Sequence, residues 1–295
     1  MFDFVKRWPG AVQAAFWMLI IGTLVTFTLV FSRKISGDIH VFEIVFFRSL
    51  FGLMFMAPWV IRRGIGTIAL RRPGIIILRG TLAFFGGACL YAAAARMPLA
   101  EVTAITFTRP IFASIAAVLF LNEVLRVRRW TAIILGLSGA LIIIRPGFVD
   151  VNIGVAFAFV SVFTLTWNSL NLKLLTKVNP PDTVAIWHMV VMLPLGLVAC
   201  LFVWTTPTLE QFGWLVAIGV FEMLTQRSMS RGYAAADLAV VVGFSFLRLP
   251  VAALLGFATF GEVPVSWVWL GSAVIAASAV YIAHRESRAQ RLGQT

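Results

Sequence analysis

Long apolar runs of about 20 residues, separated by short polar or glycine- and proline-bearing links, repeat along the whole chain. One helix needs about that length to cross a hydrocarbon core roughly 30 Å thick. On this spacing the pattern predicts ten spans. The first five cover residues 11–32, 40–61, 74–95, 99–121 and 128–145; the second five cover 152–174, 183–204, 211–230, 236–258 and 266–284. The runs are continuous rather than alternating with period two, which favours helices over an outer-membrane barrel. The eighth run, interrupted by Glu222, Gln226 and Arg227, is the weakest of the ten. The links are too short to hold a soluble domain.

The chain also repeats itself. A shift of 139 positions lays Leu99–Glu123 on Leu238–Glu262 without a gap. Arg109 then meets Arg248, Glu123 meets Glu262, and Thr106 meets Ser245, with Pro110 and Pro250 beside the two arginines. Each half holds an odd number of spans, so the second half enters the membrane from the opposite face. The expected fold is therefore all-α and integral to the membrane, with ten transmembrane helices arranged as two inverted five-helix repeats, a design common among secondary transporters. The repeats are expected at 1–147 and 148–285, with a cytoplasmic tail at 286–295.

Composition supports this class. Hydrophobic residues make up 60% of the chain and charged residues 12%, and the mean hydropathy is +0.95. The net charge of +12 lies in short clusters between apolar runs, which speaks for oriented membrane loops rather than nucleic-acid binding. With the N-terminus inside, the outer segments hold only Arg33, Lys34, Arg96 and Arg145 of the 24 basic residues, while Arg48, Arg109 and Arg248 fall within spans. The remainder, Arg79 and Lys173 among them, count as inner, so both termini are expected in the cytoplasm of a bacterial inner-membrane protein. The basic Lys6-Arg7 and the run after it superficially resemble a signal peptide, but the run is too long and lacks a cleavage site, so it is read as a retained first span. Cys89 and Cys200 lie inside spans and indicate neither a disulfide nor a metal site.

Ten spans in two halves, a fourth span running from RMPLAEVTAITFTRP to FLNE, and the IIIRPG at Ile142–Gly147 together resemble the drug/metabolite transporter superfamily of the EamA type. The resemblance covers nearly the whole chain. It implies alternating access around a central cavity lined by the first, third, fourth, sixth, eighth and ninth spans. Within the family the chain is most similar to bacterial exporters of amino acids, including aromatic ones.

Arg109 and Arg248 lead the candidate substrate-contacting residues. Each can present a fixed charge near the midplane to a substrate carboxylate or to a gate, or can pair with a carbonyl freed by Pro110 or Pro250; both roles stay open. Glu222 can relay protons or bind an ammonium group, or form a salt bridge to Arg227 or Arg248. His188 titrates near neutral pH in water, but an interfacial hydrogen bond is its expected role. Arg48 is expected to pair locally with Glu43. Thr106, Ser245, Tyr91 and Asn168 offer polar handles, and Trp17, Phe84, Phe85 and Trp167 apolar walls. Small residues at Ala132, Gly136 and Ala140, and at Ser272 and Ala276, allow close helix contact, either between the halves or across a homodimer.

No metal-ligand cluster, nucleophile elbow or phosphate-cradling loop marks an enzyme, and no ring of like charges marks a channel. No cofactor is expected, and the only partners are the bilayer, a small-molecule substrate and a possible second copy. The expected function is a secondary carrier exporting small amphipathic metabolites, amino acids first. Import or exchange of S-adenosylmethionine or a nucleoside is the alternative; a channel or membrane enzyme is the remote one.

Overall fold

The computed structural model describes residues 5–35, 38–94, 96, 102, 105–106, 108–122, 127–144 and 153–247, and helical residues 251, 254, 267, 269–271, 273–277 and 280–281. Among the described residues every regular element is helical. In chain order they are α1 (Gly10–Ile35), α2 (Val41–Arg63), α3 (Pro73–Ala94), α4 (Arg109–Leu121), α5 (Val127–Ile144), α6 (Ile153–Thr176), α7 (Pro181–Cys200), α8 (Leu209–Ala235) and α9 (Leu238–Gly243). Short 3-10 turns lie at Val5–Arg7, Ile65–Ile68 and Phe244–Leu247. Stretches of α1, α2, α3, α6 and α7 are long and apolar enough to cross a membrane.

Local chemistry sets the ends. The His40 Nδ1 atom accepts from the Phe42 N–H at 3.3 Å and opens α2, and Gly64, with φ +82°, closes it. That left-handed turn suits glycine, which has no Cβ to clash. Thr208 and Gln211 form a reciprocal capping box at the start of α8. This firm start helps explain why the weakest predicted span is a continuous helix of 27 residues. Its polar members Glu222, Thr225, Gln226, Ser228 and Ser230 are buried.

The 139-residue shift extends far beyond the fourth and ninth spans. It carries α1 onto α6, α2 onto α7, and α3 onto α8, to within a few residues at each end. Helix pairing obeys the same exchange. The most extensive interfaces are α3 with α6 and α1 with α8, which the exchange interchanges; α2–α8 maps onto α7–α3, and α2–α7 maps onto itself. This is what a two-fold axis relating two inverted halves produces.

Two close approaches show the relation at atomic scale. A Cβ on Gly80 would lie 2.4 Å from the Val191 Cγ1 atom, and one on Gly219 would lie 2.3 Å from the Phe51 Cβ atom and 3.2 Å from the Gly52 nitrogen. Gly219 is the 139-shifted counterpart of Gly80, and Val191 that of Gly52. Absent side chains let α3 reach α7, and α8 reach α2. On α5, Gly136 faces Phe246 and Gly139 faces Gly271 and Ile275. These two glycines thus serve contacts within the chain.

Substituting Gly219→Val should force α2 and α8 apart. Overpacking of this kind costs about 1–3 kcal/mol, so thermal unfolding in detergent should show a clearly lowered midpoint, whereas Gly213→Ala, in open space, should leave it nearly unchanged.

Candidate substrate site and the interlocked rims

Polar residues that the apolar pattern pushes inward collect where the halves meet. Arg48 on α2 and Glu222 on α8 form an ion pair with Nη1 and Oε2 3.7 Å apart. The Gln226 amide, one turn along α8, donates to Glu222 Oε1 at 3.0 Å. It accepts from Arg79 Nη2 on α3 at 3.2 Å. Arg79 is only 1% exposed, and its Nε and Nη1 atoms have no hydrogen-bond partner. His188 on α7 is 3% exposed, with Nδ1 likewise unpartnered. Two cations thus share one carboxylate in this row.

These contacts correct several expectations. Arg48 pairs with Glu222 across the halves, because side chains five apart on a helix point about 140° away from each other and Glu43 is five residues back. Glu43 instead accepts from the Thr205 N–H at 3.0 Å and the Thr205 hydroxyl at 2.8 Å. Glu222 is paired with Arg48 rather than Arg227, which turns to Asp182 at 2.9 Å. His188 is packed inside the bundle, since α7 faces both α2 and α3. Arg79 and Lys173, counted as inner-loop charges, are both buried within helices.

Arg109 forms a second group. Its Nη2 donates to the Leu165 carbonyl at 3.0 Å and to the Ser169 hydroxyl, which also accepts from the Tyr233 hydroxyl at 3.1 Å. It therefore ties α4 to α6 of the other half. The carbonyl it binds belongs to α6 and is not one freed by Pro110, which sits in the first turn of α4, where a missing N–H costs nothing. The Thr108 hydroxyl donates to the Ile105 carbonyl at 2.6 Å just before this start, and the Ser245 hydroxyl donates to the Val242 carbonyl at 2.6 Å in the matching part of the second half.

The other candidates divide. Trp17 is buried, with the Arg231 guanidinium 5.6 Å from its ring centre. Phe84 stacks on Phe42, whereas Phe85 and Trp167 are exposed, Trp167 lying edge-on to Phe120. Asn168 is buried with Oδ1 unpartnered. Thr106 is half-buried near the start of α4. Arg248 and the side chain of Tyr91 lie outside the described residues. Reasoning from the sequence missed Arg79, Gln226, Ser169 and Tyr233. Arg79 and Gln226 were visible inside predicted spans; the hydroxyls of Ser169 and Tyr233 carried no signal of their own.

Both ends of this seam are bridged between halves. At one rim Asn179 accepts from the Arg71 N–H at 2.7 Å and donates to the Arg71 carbonyl at 3.0 Å, while Trp187 donates to the Ile68 carbonyl at 2.8 Å. Nearby, Asp182 takes Arg227 and Arg231, and Lys173 donates to the carbonyls of Tyr233 and Ala236 where α8 ends, a natural place for a cation. At the other rim Thr205 and Gln211 bond to Asp38, and Thr205 to Glu43.

An all-helical membrane protein of paired inverted halves, with polar groups buried where they meet, is the architecture of a secondary transporter. Residues 12–145 match the EamA-like transporter family. A riboflavin transporter of Rhizobium johnstonii is 30% identical over 286 residues, covering 95% of this chain and 94% of that protein. One of Vibrio cholerae is 30% identical over 295 residues, covering 97% of each. An S-adenosylmethionine uptake transporter of Rickettsia bellii is 27% identical over 261 residues, covering 88% of each. A solved crystal structure shares the fold with a TM-score of 0.78 at 16% identity, over 93% of this chain and 98% of its own. The chain belongs to the EamA-like transporter family of the drug/metabolite transporter superfamily and is a multi-pass membrane transporter.

Asn179→Ala should remove the hydrogen bonds to the Arg71 N–H and carbonyl. Losing such half-buried hydrogen bonds costs about 0.5–1.5 kcal/mol each, read as a lowered unfolding midpoint in detergent; an unchanged midpoint would show that this bridge adds nothing to stability.

Proposed function

We propose that this chain is a secondary carrier for small heteroaromatic metabolites, with riboflavin first. It works by alternating access in a bacterial inner membrane with both termini in the cytoplasm. The observation that carries the substrate is the near-full-length similarity to two riboflavin transporters. The buried seam suits such a cargo. Its unpartnered Arg48, Arg79 and Arg109 nitrogens are donors, and a flavin ring is rich in acceptors and otherwise flat and apolar. Mostly apolar sites with a few placed polar groups are typical for ligands of this size.

Access alternates as the halves, assigned to 1–147 and 148–285, rock about their two-fold axis and open one rim at a time. Arg109, fixed to α6 from α4, resists that motion and acts as a latch as much as a ligand. The sequence carries no ATP-binding motif, so on this reading direction follows a gradient, and export and uptake are the same cycle run in opposite senses. Amino acids, including aromatic ones, are the second reading. The juxtaposed Arg48 and Glu222 favour it, since they offer opposite charges to a zwitterion.

Proteoliposomes preloaded with riboflavin should accumulate labelled riboflavin by counterflow, and excess S-adenosylmethionine or phenylalanine should compete poorly. Counterflow of phenylalanine but not riboflavin would replace the first reading by the second. Arg109→Gln should slow riboflavin counterflow about tenfold or more, measured as the initial rate in the same vesicles; an unaltered rate would remove Arg109 from the cycle.

A further inference from the structure

Arg79 is the largest fully buried side chain of the described residues. Its Nε and Nη1 atoms, and the Nε of Arg48, are shielded and lack hydrogen-bond partners. Between these two arginines stands the Glu222 carboxylate, 3.7 Å from Arg48, beyond hydrogen-bond length. Gln226 spans the gap from Glu222 to Arg79 with contacts of 3.0 and 3.2 Å. Read across α2, α8 and α3, the row presents the Arg48 donor, the Glu222 acceptor, the bridging Gln226 amide and the Arg79 donor.

We propose that this row is the site for a cyclic imide edge, the C=O, N–H, C=O sequence of a flat heteroaromatic ring. Arg48 and Arg79 donate to the two carbonyl oxygens, and Glu222 accepts from the imide N–H. Gln226 is a positioning residue that holds Arg79 and Glu222 in register through its amide. The inference rests on the riboflavin reading, because the isoalloxazine ring carries such an edge, and it names which part of the substrate is held. It also accounts for the surplus charge. Two guanidiniums against one carboxylate disfavour a cationic ligand such as a sulfonium and favour carbonyl oxygens, which bring partial negative charge to donors that otherwise have none. The edge reaches groups from both halves at once, so an occupied site couples to their relative motion.

Riboflavin counterflow into proteoliposomes holding the intact wild-type chain, with riboflavin and N3-methylriboflavin as unlabelled competitors, tests this. Methylation removes the imide proton and leaves both carbonyls, so the methylated compound should compete at least tenfold more weakly. In Glu222→Ala that preference should vanish, and Arg79→Lys should raise the riboflavin KM at least tenfold with a smaller change in maximal rate. Equal competition in the wild type overturns the imide site while leaving the riboflavin reading intact, and this comparison needs no variant to fold. A Glu222→Ala chain that still discriminates overturns the role of Glu222. No riboflavin counterflow by the wild type overturns both.

Discussion

The two halves of this molecule are held together by close helix approaches, the α3 backbone against the Val191 side chain of α7 at Gly80 and α8 against the α2 backbone at Gly219. In a bilayer, apolar surface gains nothing by leaving lipid for protein, so association of the halves relies on close packing and on polar contacts between them. Glycine supplies the first and the Arg–Glu–Gln–Arg row the second. The same exchange that maps one close approach onto the other maps α3–α6 onto α8–α1, so the interface is built twice with opposite polarity. On the proposed reading, such an interface can tilt in two related ways, as alternating access requires.

The polar row lies where that interface is tightest, and the chemistry follows from its burial. An arginine in hydrocarbon costs about 3 kcal/mol or more unless compensated, and here compensation is partial: one carboxylate and one amide serve two guanidiniums. Arg109 is held differently, its Nη2 by a carbonyl and a hydroxyl of the opposite half, while its Nε stays unpartnered. A charge fully paired would stiffen the interface without offering anything to a ligand. On the proposed reading, a charge left partly unpaired does both jobs, joining the halves and keeping donors for a substrate. The rims divide the remaining work, with Asn179 reaching Arg71 at one end and Gln211 reaching Asp38 at the other.

Much of this was legible in the amino-acid order. Apolar run length located the helices, and the shift that pairs Arg109 with Arg248 proved to pair α1 with α6, α2 with α7 and α3 with α8 as well. Partner choice was not legible. Arg48 sits near Glu43 in the chain but faces Glu222 in space, because a helix turns side chains five apart away from one another. Arg79 looked like one more orienting charge, since it lies only two turns from the start of α3 and nothing local distinguishes a snorkelling arginine from one drawn into a bundle. The substrate was least legible of all. The expectation of amino acids came from resemblance, while relatives with near-full-length similarity include transporters named for riboflavin and S-adenosylmethionine.

The relation between the halves is most directly tested by paired cysteines in a chain whose own Cys89 and Cys200 are replaced by alanine. One pair joins Gly80→Cys with Val191→Cys, and its counterpart joins Phe51→Cys with Gly219→Cys; disulfides need Cβ atoms about 3.5–4.5 Å apart, within a small adjustment of both approaches. Peptide mass spectrometry after mild oxidation in membranes should find both crosslinks, to similar extent. Formation of one without the other, or of neither in a folded chain, would contradict the two-fold exchange on which this account stands.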